Sequence, residues 1–285
     1  MRQKNCIGIL SFNKINLTER CLGSVLASGY DPGIIFLYHN GSDTKTRDQL
    51  MKKFPQINHH WSGINTGYSG GFNSVMKWIF GSGGRSVLFL TNDTTIDKLT
   101  LSNCLGTEES AGSGFIAPAI HYLKYPEKID SCGGFFDRSR FTLSHYHELS
   151  LPDILEPGKD YIPGTALWMR KDVFKKTGGM DEKYHTYWED ADLSFRCHEK
   201  GIEMARCFTA NIYHGIGQTC HKKSLYTTFY FQRNRIIFCK EFLKGDELEK
   251  ALLTIKTEID EMKKKASLKK NIKKLEYIDE LKTFF

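Results

Sequence analysis

Three carboxylates fall within four positions in Tyr187–Trp188–Glu189–Asp190–Ala191–Asp192, beside two aromatics. An amphipathic segment carrying Leu193, Arg196 and Cys197 follows, and Gly201 supplies its stop. Acids at a helix start are favoured by the macrodipole and cap free N–H groups, so a plain helix N-terminus is the bland reading. The preceding residues argue for more. Pro163–Gly164–Thr165–Ala166 runs into Leu167–Trp168–Met169–Arg170, then Val173–Phe174 and Gly178–Gly179–Met180–Asp181. A strand, a short helix and a tight glycine turn would hold the acidic cluster at a fixed edge, and a carboxylate presented at a cleft is a candidate general base.

A second acid lies at the end of the clearest central strand. Ser86–Val87–Leu88–Phe89–Leu90 runs into Thr91–Asn92–Asp93–Thr94, and ligands of open α/β sheets sit beyond the carboxyl ends of strands. Capping of the turn at Thr95–Asp97 is the structural alternative for Asp93. Ser11–Phe12–Asn13 and His39–Asn40 also follow strand ends, so several polar residues collect along one edge. Asn65–Thr66–Gly67–Tyr68–Ser69–Gly70–Gly71 opens a helix carrying Phe72, Val75, Met76 and Ile79. Such a turn can hold a phosphate on free N–H groups. It lacks the P-loop lysine and the GxGxxG spacing, and a glycine turn for helix packing fits it equally.

The elements that must position these residues begin with an apolar strand at 6–12. A helix then bears Leu17, Cys21, Leu22, Val25 and Leu26, with Asn16 or Thr18 as its cap. A strand at 34–38, a helix at 44–53 and a strand near 57–61 continue a doubly wound α/β pattern. Residues 107–160 are less regular, with a strand at 115–118 and a turn or hairpin at 133–136, and no roles are assigned there. Two short strands at 203–207 and 212–215 follow, the second ending in His214, and a lone histidine is more often structural. A basic helix spans 232–238. Leu248, Leu252, Ile255, Ile259 and Met262 at helical spacing predict one or two helices over 246–285.

Composition sets the class. With 285 residues, 40% hydrophobic and 26% charged, the chain is a folded protein with ample core. It has no run of about 20 apolar residues that would span a membrane. The Met1–Asn5 segment enters a strand with no signal-like apolar core, so a cytoplasmic location is expected. The eight cysteines show no CxxC spacing and read as buried thiols. The net charge of +7 favours anionic partners without choosing among them.

Taken in order, SFN at 11–13, HNGSD at 39–43, NTGYSGGFN at 65–73, TNDT at 91–94, PGTALWMRKDVF at 163–174, GGMDEKY at 178–184, WEDADLSFR at 188–196, His214 and RN at 233–234 resemble a known family. The ensemble is similar to the family 2 nucleotide-sugar glycosyltransferases, in the bacterial rhamnosyltransferase-like and galactofuranosyltransferase-like branch. It covers about residues 5–240. The resemblance implies a GT-A type, Rossmann-like mixed α/β sheet flanked by helices. It places a glycosyltransferase domain at 1–240 (nucleotide part about 5–95, acceptor part about 110–240) and a helical extension at 241–285.

The activity it implies is inverting transfer from a nucleotide-diphosphate sugar, dTDP or UDP favoured, to a saccharide or lipid-linked saccharide hydroxyl in bacterial surface polysaccharide synthesis. Asp190 matches the family's base. Glu189, Asp192 and Trp188 would orient the acceptor or the loop, with Arg196 placed to pair with one acid. Ser11, Asn13, His39, Asn40, Asn65, Gly70, Asn73, Asn92 and Asp93 would bind the donor. Asp93 and His214 would hold Mn²⁺ or Mg²⁺, with phosphate and water completing the coordination.

Two positions depart from the family pattern. His39 stands where an acid usually contacts the base, which leaves base recognition open and a pyrimidine donor as the default. Thr91 replaces the first acid of the DxD-type motif, so the metal would rest mainly on Asp93 and His214. The alternatives are a nucleotidyltransferase, disfavoured because Ser11–Lys14 is no glycine-rich basic loop, and a catalytically silent scaffold that binds sugar or a partner. A nucleic-acid binder is weakest, because the lysines cluster in a terminal helix and not among aromatics on a sheet. The C-terminal helices would be a solvated face, a peripheral contact with anionic membrane at its inner face, or a homo-oligomer interface.

Overall fold

A computed structural model describes residues 4–215 and 224–285. The first half is β1 (Lys4–Ser11), α1 (Ile15–Ala27), β2 (Ile35–Asn40), α2 (Thr44–Lys53), β3 (Asn58–Ser62), α3 (Gly67–Gly81), β4 (Gly84–Thr91), β5 (Thr94–Ile96) and α4 (Thr100–Ala111). There follow β6 (Phe115–Tyr122), β7 (Tyr125–Ser131), β8 (Gly134–Asp137), β9 (Thr142–His145), β10 (Asp160–Tyr161), β11 (Ala166–Arg170) and α5 (Lys171–Thr177). The chain ends in α6 (Glu189–Glu199), β12 (Ala205–His214), α7 (Leu225–Phe242), α8 (Gly245–Leu268) and α9 (Ile272–Leu281).

Among the described residues, the main sheet runs β3-β2-β1-β4-β11-β6-β12-β5, with β7 beside β6, and β10-β8-β9 form a smaller sheet. β3, β2, β1 and β4 are parallel, while β11 inserts antiparallel between β4 and β6. The ends of β1, β2, β4, β6 and β12 therefore share one edge with the start of β11. Period-2 alternation sorts the strands between two helix layers. Leu10, Val87, Phe89, Leu167 and Met169 face α3 and α5. Ile7, Ile9, Leu88, Leu90 and Trp168 face the opposite layer, with Cys21 and Leu22 of α1 and Cys104 of α4. A third core joins Trp188 and Phe195 to Phe238 of α7, Ile255 of α8 and Ile278 of α9.

Two local expectations change. Helix α1 starts earlier than expected, at Ile15, after Lys14 in a left-handed conformation and with no side-chain cap. The Thr18 hydroxyl instead bonds Ser11 Oγ at 2.8 Å and accepts from Asn92 Nδ2 at 2.9 Å, tying α1 to the ends of β1 and β4. The two short strands after α6 are one strand, β12, whose pairing with β6 jumps at a bulge between Cys207 and Asn211. The C-terminal pattern forms two helices. Seven cysteines are buried free thiols, and Cys220 lies outside the described residues.

Candidate active site

The shared strand edge opens into a cavity of about 1140 Å³ whose wall includes Asn40, Asn65, Asn92, Asp93, Trp188, Glu189, Asp190 and His214. Asp93 reaches it from the β4–β5 turn, steered by the Thr91 hydroxyl, which donates to Asp93 Oδ1 at 2.7 Å. Pairing of β12 with β5 sets His214 opposite Thr94, and the Gly215 N–H donates to the Asp93 carbonyl at 2.9 Å. His214 Nε2 then lies 3.6 Å from Asp93 Oδ2, while its Nδ1 lies 3.1 Å from Asp130 Oδ2. Burial works against the charged imidazole, but hydrogen bonds and charge from Asp130 and Asp93 prevail and raise its pKa to about 9. With no cation bound, the ring therefore bridges two carboxylates as an imidazolium at neutral pH, and a metal would take the place of its Nε2 proton.

That donor set fits a divalent cation. Asp130 fixes Nδ1 as the protonated nitrogen, which leaves Nε2 as the coordinating one beside a carboxylate. Among the described residues no cluster of three or more ligating side chains stands ready to hold an ion. Asp93 and His214 would supply two positions, and oxygen ligands from diphosphate and water suit the rest.

The acidic helix forms the facing wall. Asp190 Oδ2 accepts from the Gly164 N–H at 2.8 Å and Oδ1 from the Ala191 N–H at 2.8 Å. Desolvation still raises its pKa above the ordinary carboxylate range against those bonds. The Gly164 carbonyl accepts from the Tyr68 hydroxyl, and a Cβ on Gly164 would meet that hydroxyl oxygen at 2.8 Å. Glu189 is buried, its Oε2 has no hydrogen-bond partner, and burial followed by the Asp190 charge drives its pKa far up. Its charged form is therefore disfavoured, while two N–H bonds favour ionisation of the neighbouring Asp190.

The backbone leading to these acids is strained. His185, Tyr187 and Trp188 all have positive φ (62°, 69° and 76°), a conformation costly for side chains of this size. The fully buried Asn234 of α7 holds them. Its Nδ2 lies 2.7 Å from the Tyr184 carbonyl, 2.7 Å from that of Thr186 and 2.8 Å from that of Tyr187. Behind the cluster, Arg196 pairs with the buried Asp192 at 2.7 Å and also donates to the Thr177 and Gly179 carbonyls. Asp192 thus anchors α6 to the glycine turn and does not line the cavity.

Several expected donor contacts are engaged inside the protein. The start of α3 is not a free anion site: Tyr68 and Ser69 N–H donate to the His185 carbonyl, and Gly67 N–H donates to Asn65 Oδ1. A Cβ on Gly67 would strike His185 at 2.3 Å, so this glycine run serves close packing. Gly70 lies within α3 and outside the cavity wall. Asn73 bonds Met180 N–H and carbonyl at 2.9 and 2.8 Å, turned to the glycine turn. Asn40 lines the cavity but clamps Thr66 and Gly67. Ser11 and Asn13 lie outside the wall, Asn13 Oδ1 accepting from Asp43 N–H at 3.0 Å.

His39 is fully buried and also off the wall. Its Nε2 is 3.2 Å from His59 Nδ1, and His59 Nε2 is 2.9 Å from the Phe54 carbonyl. A carbonyl only accepts, so His59 carries its proton on Nε2 and accepts from His39. His39 Nδ1 is left bare and without a partner, and burial, then His59, lowers its pKa to about 4.

Sequence reasoning missed Asp130, which sits on β7 in the irregular stretch and has no neighbouring motif. It missed the role of Asn234 too, although an asparagine after arginine in an aromatic helix was the available signal. Gly164 was visible only as part of a turn.

The family model described as Glycosyl transferase family 2 matches residues 6–178, ending ahead of the acidic helix. An N-acetylglucosaminyl-diphospho-decaprenol L-rhamnosyltransferase of Mycobacterium tuberculosis is 24% identical over 221 residues, 69% of this chain and 71% of that protein. The low-salt glycan biosynthesis hexosyltransferase Agl10 of Haloferax volcanii is 25% identical over 189 residues, 62% of this chain and 58% of that protein. GalNAc-T7, solved with UDP, GalNAc and Mn²⁺, superposes with a TM-score of 0.64 at 12% identity over 87% of this chain and 49% of its own. Residues 1–349 of S. aureus TarS give 0.54 at 13% identity over 89% and 70%. The fold is of the GT-A type.

Proposed function

The chain belongs to glycosyl transferase family 2 and is a glycosyltransferase, and on that premise we propose that it transfers a sugar with inversion from a dTDP- or UDP-sugar to an acceptor hydroxyl. The carrying observation is one cavity that holds both an oriented carboxylate, Asp190, and a carboxylate–imidazole pair, Asp93 and His214. The acceptor is a saccharide or lipid-linked saccharide. The diphospho-decaprenol in the mycobacterial relative's name supports the second form.

Asp190 accepts the hydroxyl proton as the acceptor oxygen bonds to the anomeric carbon and the bond to diphosphate breaks on the opposite face. The Gly164 and Ala191 N–H groups fix the carboxylate's direction, while burial keeps it more basic than a solvated acid. Glu189 belongs to the same cavity wall, and burial favours its protonated carboxyl, which can donate a hydrogen bond to a ligand hydroxyl. A divalent ion on Asp93 and His214, when bound, neutralises charge on the leaving pyrophosphate.

Asp190→Asn tests the assignment. Turnover should fall by about 10²–10⁴-fold, while stabilisation by the donor, read as a thermal shift across dTDP-, UDP-, GDP- and CMP-sugars with and without Mn²⁺, is retained. Near wild-type turnover in this variant, or a product with retained anomeric configuration by NMR, would overturn the reading.

A further inference from the structure

The turn between α8 and α9 concentrates charge and exposed apolar surface that no core uses. Seven lysines fall between positions 263 and 274 with no acid among them. The tight link Lys269–Lys270–Asn271 is shaped by Lys270 at φ 49° and by Asn271, whose side chain caps α9 at the Lys274 N–H. Lys264, Lys265, Lys269, Lys270 and Lys273 are all exposed. Between them stand Leu268 and Ile272, 85% and 72% exposed. Acids near this turn are already paired: Asp279 with Lys263, Glu261 at 3.9 Å from Lys265, and Asp260 with Lys282.

The direction of this tip follows from helix contacts. Tyr277 of α9 packs on Phe229 of α7 with ring centroids 5.5 Å apart, and the Phe284 carbonyl accepts from Lys240 at 2.7 Å. The two helices therefore run in the same sense. Ile272 lies five residues before Tyr277, roughly 7–8 Å further along the axis, toward the start of α7. That is the end of α7 from which Tyr226 enters the cavity wall.

We propose that the α8–α9 tip docks on an anionic lipid bilayer, its lysines on the headgroups and Leu268 and Ile272 in the acyl boundary, with the cavity on the membrane side. A positive ring around two large apolar side chains complements a negatively charged surface that has hydrocarbon beneath it. Nucleic acid would match the lysines and leave Leu268 and Ile272 in water. No helix among the described residues is long and apolar enough to cross a membrane, so this contact lies on the surface. The docking rests on the tip alone, and only its service to a lipid-linked acceptor rests on the proposed function.

The test is sedimentation of the full chain with vesicles of phosphatidylcholine alone or mixed with phosphatidylglycerol, at low and high salt, without sugar nucleotide. Binding is expected only with phosphatidylglycerol and should weaken with salt. The variant Lys264→Gln/Lys269→Gln/Lys270→Gln/Lys273→Gln should lose about a hundredfold or more in partitioning, since each lysine near such a surface contributes about fivefold. Leu268→Ser/Ile272→Ser should lose about tenfold per residue, and both variants should keep wild-type transfer to a water-soluble acceptor. Equal binding to neutral vesicles, or an unchanged quadruple variant, overturns the proposal. Affinity for an RNA homopolymer without vesicle binding overturns it too, as does dimerisation that Leu268→Ser/Ile272→Ser abolishes without vesicle binding. Vesicle binding intact with no transfer to any acceptor would count against the proposed function and leave the docking standing.

Discussion

Two buried glutamates, at opposite edges of the molecule, show what separates a structural acid from a chemical one. Glu108 on α4 is almost wholly buried, and both oxygens are engaged. Arg85 donates to Oε1 at 2.6 Å, and Ser86 Oγ and Trp168 Nε1 donate to Oε2 at 2.8 and 2.6 Å. Glu189 is buried to the same degree and is one of the residues of the cavity wall, but its Oε2 has no partner. Burial is common to both. The difference is hydrogen-bond satisfaction: an unmet polar atom persists in a folded protein where a ligand or a strained site gives it a use.

The contrast breaks most sharply at Asp190. Its raised pKa means that the proton binds, and the base is lost, at a pH above the ordinary carboxylate range, so kcat/KM should fall on acidification with a midpoint above the ordinary aspartate value of 3.8. Because burial and the Asp190 charge favour the neutral form of Glu189, Glu189→Gln should leave that midpoint nearly unmoved. A drop of about one unit or more in the pH–rate profile would show that Glu189 is ionised.

Next in size is Asn234→Ala, which takes the amide donor from the Thr186 and Tyr187 carbonyls and leaves the Tyr184 carbonyl with the Thr186 N–H alone. It should cost about 3 kcal/mol or more of stability, read by urea titration, and lower kcat more than donor affinity. Glu108→Ala should cost about 2–4 kcal/mol by leaving Arg85 and Trp168 without their acceptor, yet transfer per folded molecule should stay at the wild-type level. A Glu108 variant that is stable but inactive would dissolve the distinction between the two edges.

The smallest effect concerns His39, an unmet atom with no cavity beside it. Its folded pKa of about 4 lies below the ordinary imidazole value of 6.5, so protonation favours the unfolded chain. Stability from this group is complete above pH 6.5 and lost as pH falls toward 4, at about 1.4 kcal/mol per pH unit. Replacing His39 with Phe should flatten that part of the stability–pH curve without creating or removing a donor contact.

Much of the architecture was legible along the chain. Apolar runs at 6–12, 34–38 and 86–90 are strands because a buried parallel strand needs both faces covered, and that demand is local to the run. The ordered set of short stretches, from SFN to WEDAD, pointed to the family for the same reason: each is a turn or strand end whose residues are constrained by what lies beside them. The acids at 189–192 and Asp93 were visible because they closely follow apolar or aromatic runs: Tyr187–Trp188 before the first, Val87–Leu90 before the second.

What the chain could not show alone is which polar groups remain available. Asn73, Asn40, Ser11 and the amides at the start of α3 look like ligand contacts in one dimension, but partners as distant as His185 and Met180 already hold them. Asp130 joins His214 only because β7 folds back beside β6, and Asn234 reaches the acidic loop only because α7 packs behind α6. Residue type and spacing determined the elements and the chemistry on offer. Tertiary structure decided which of that chemistry is engaged within the fold and which faces a ligand, because hydrogen bonds between segments far apart in sequence form only when the sheet and its helices assemble.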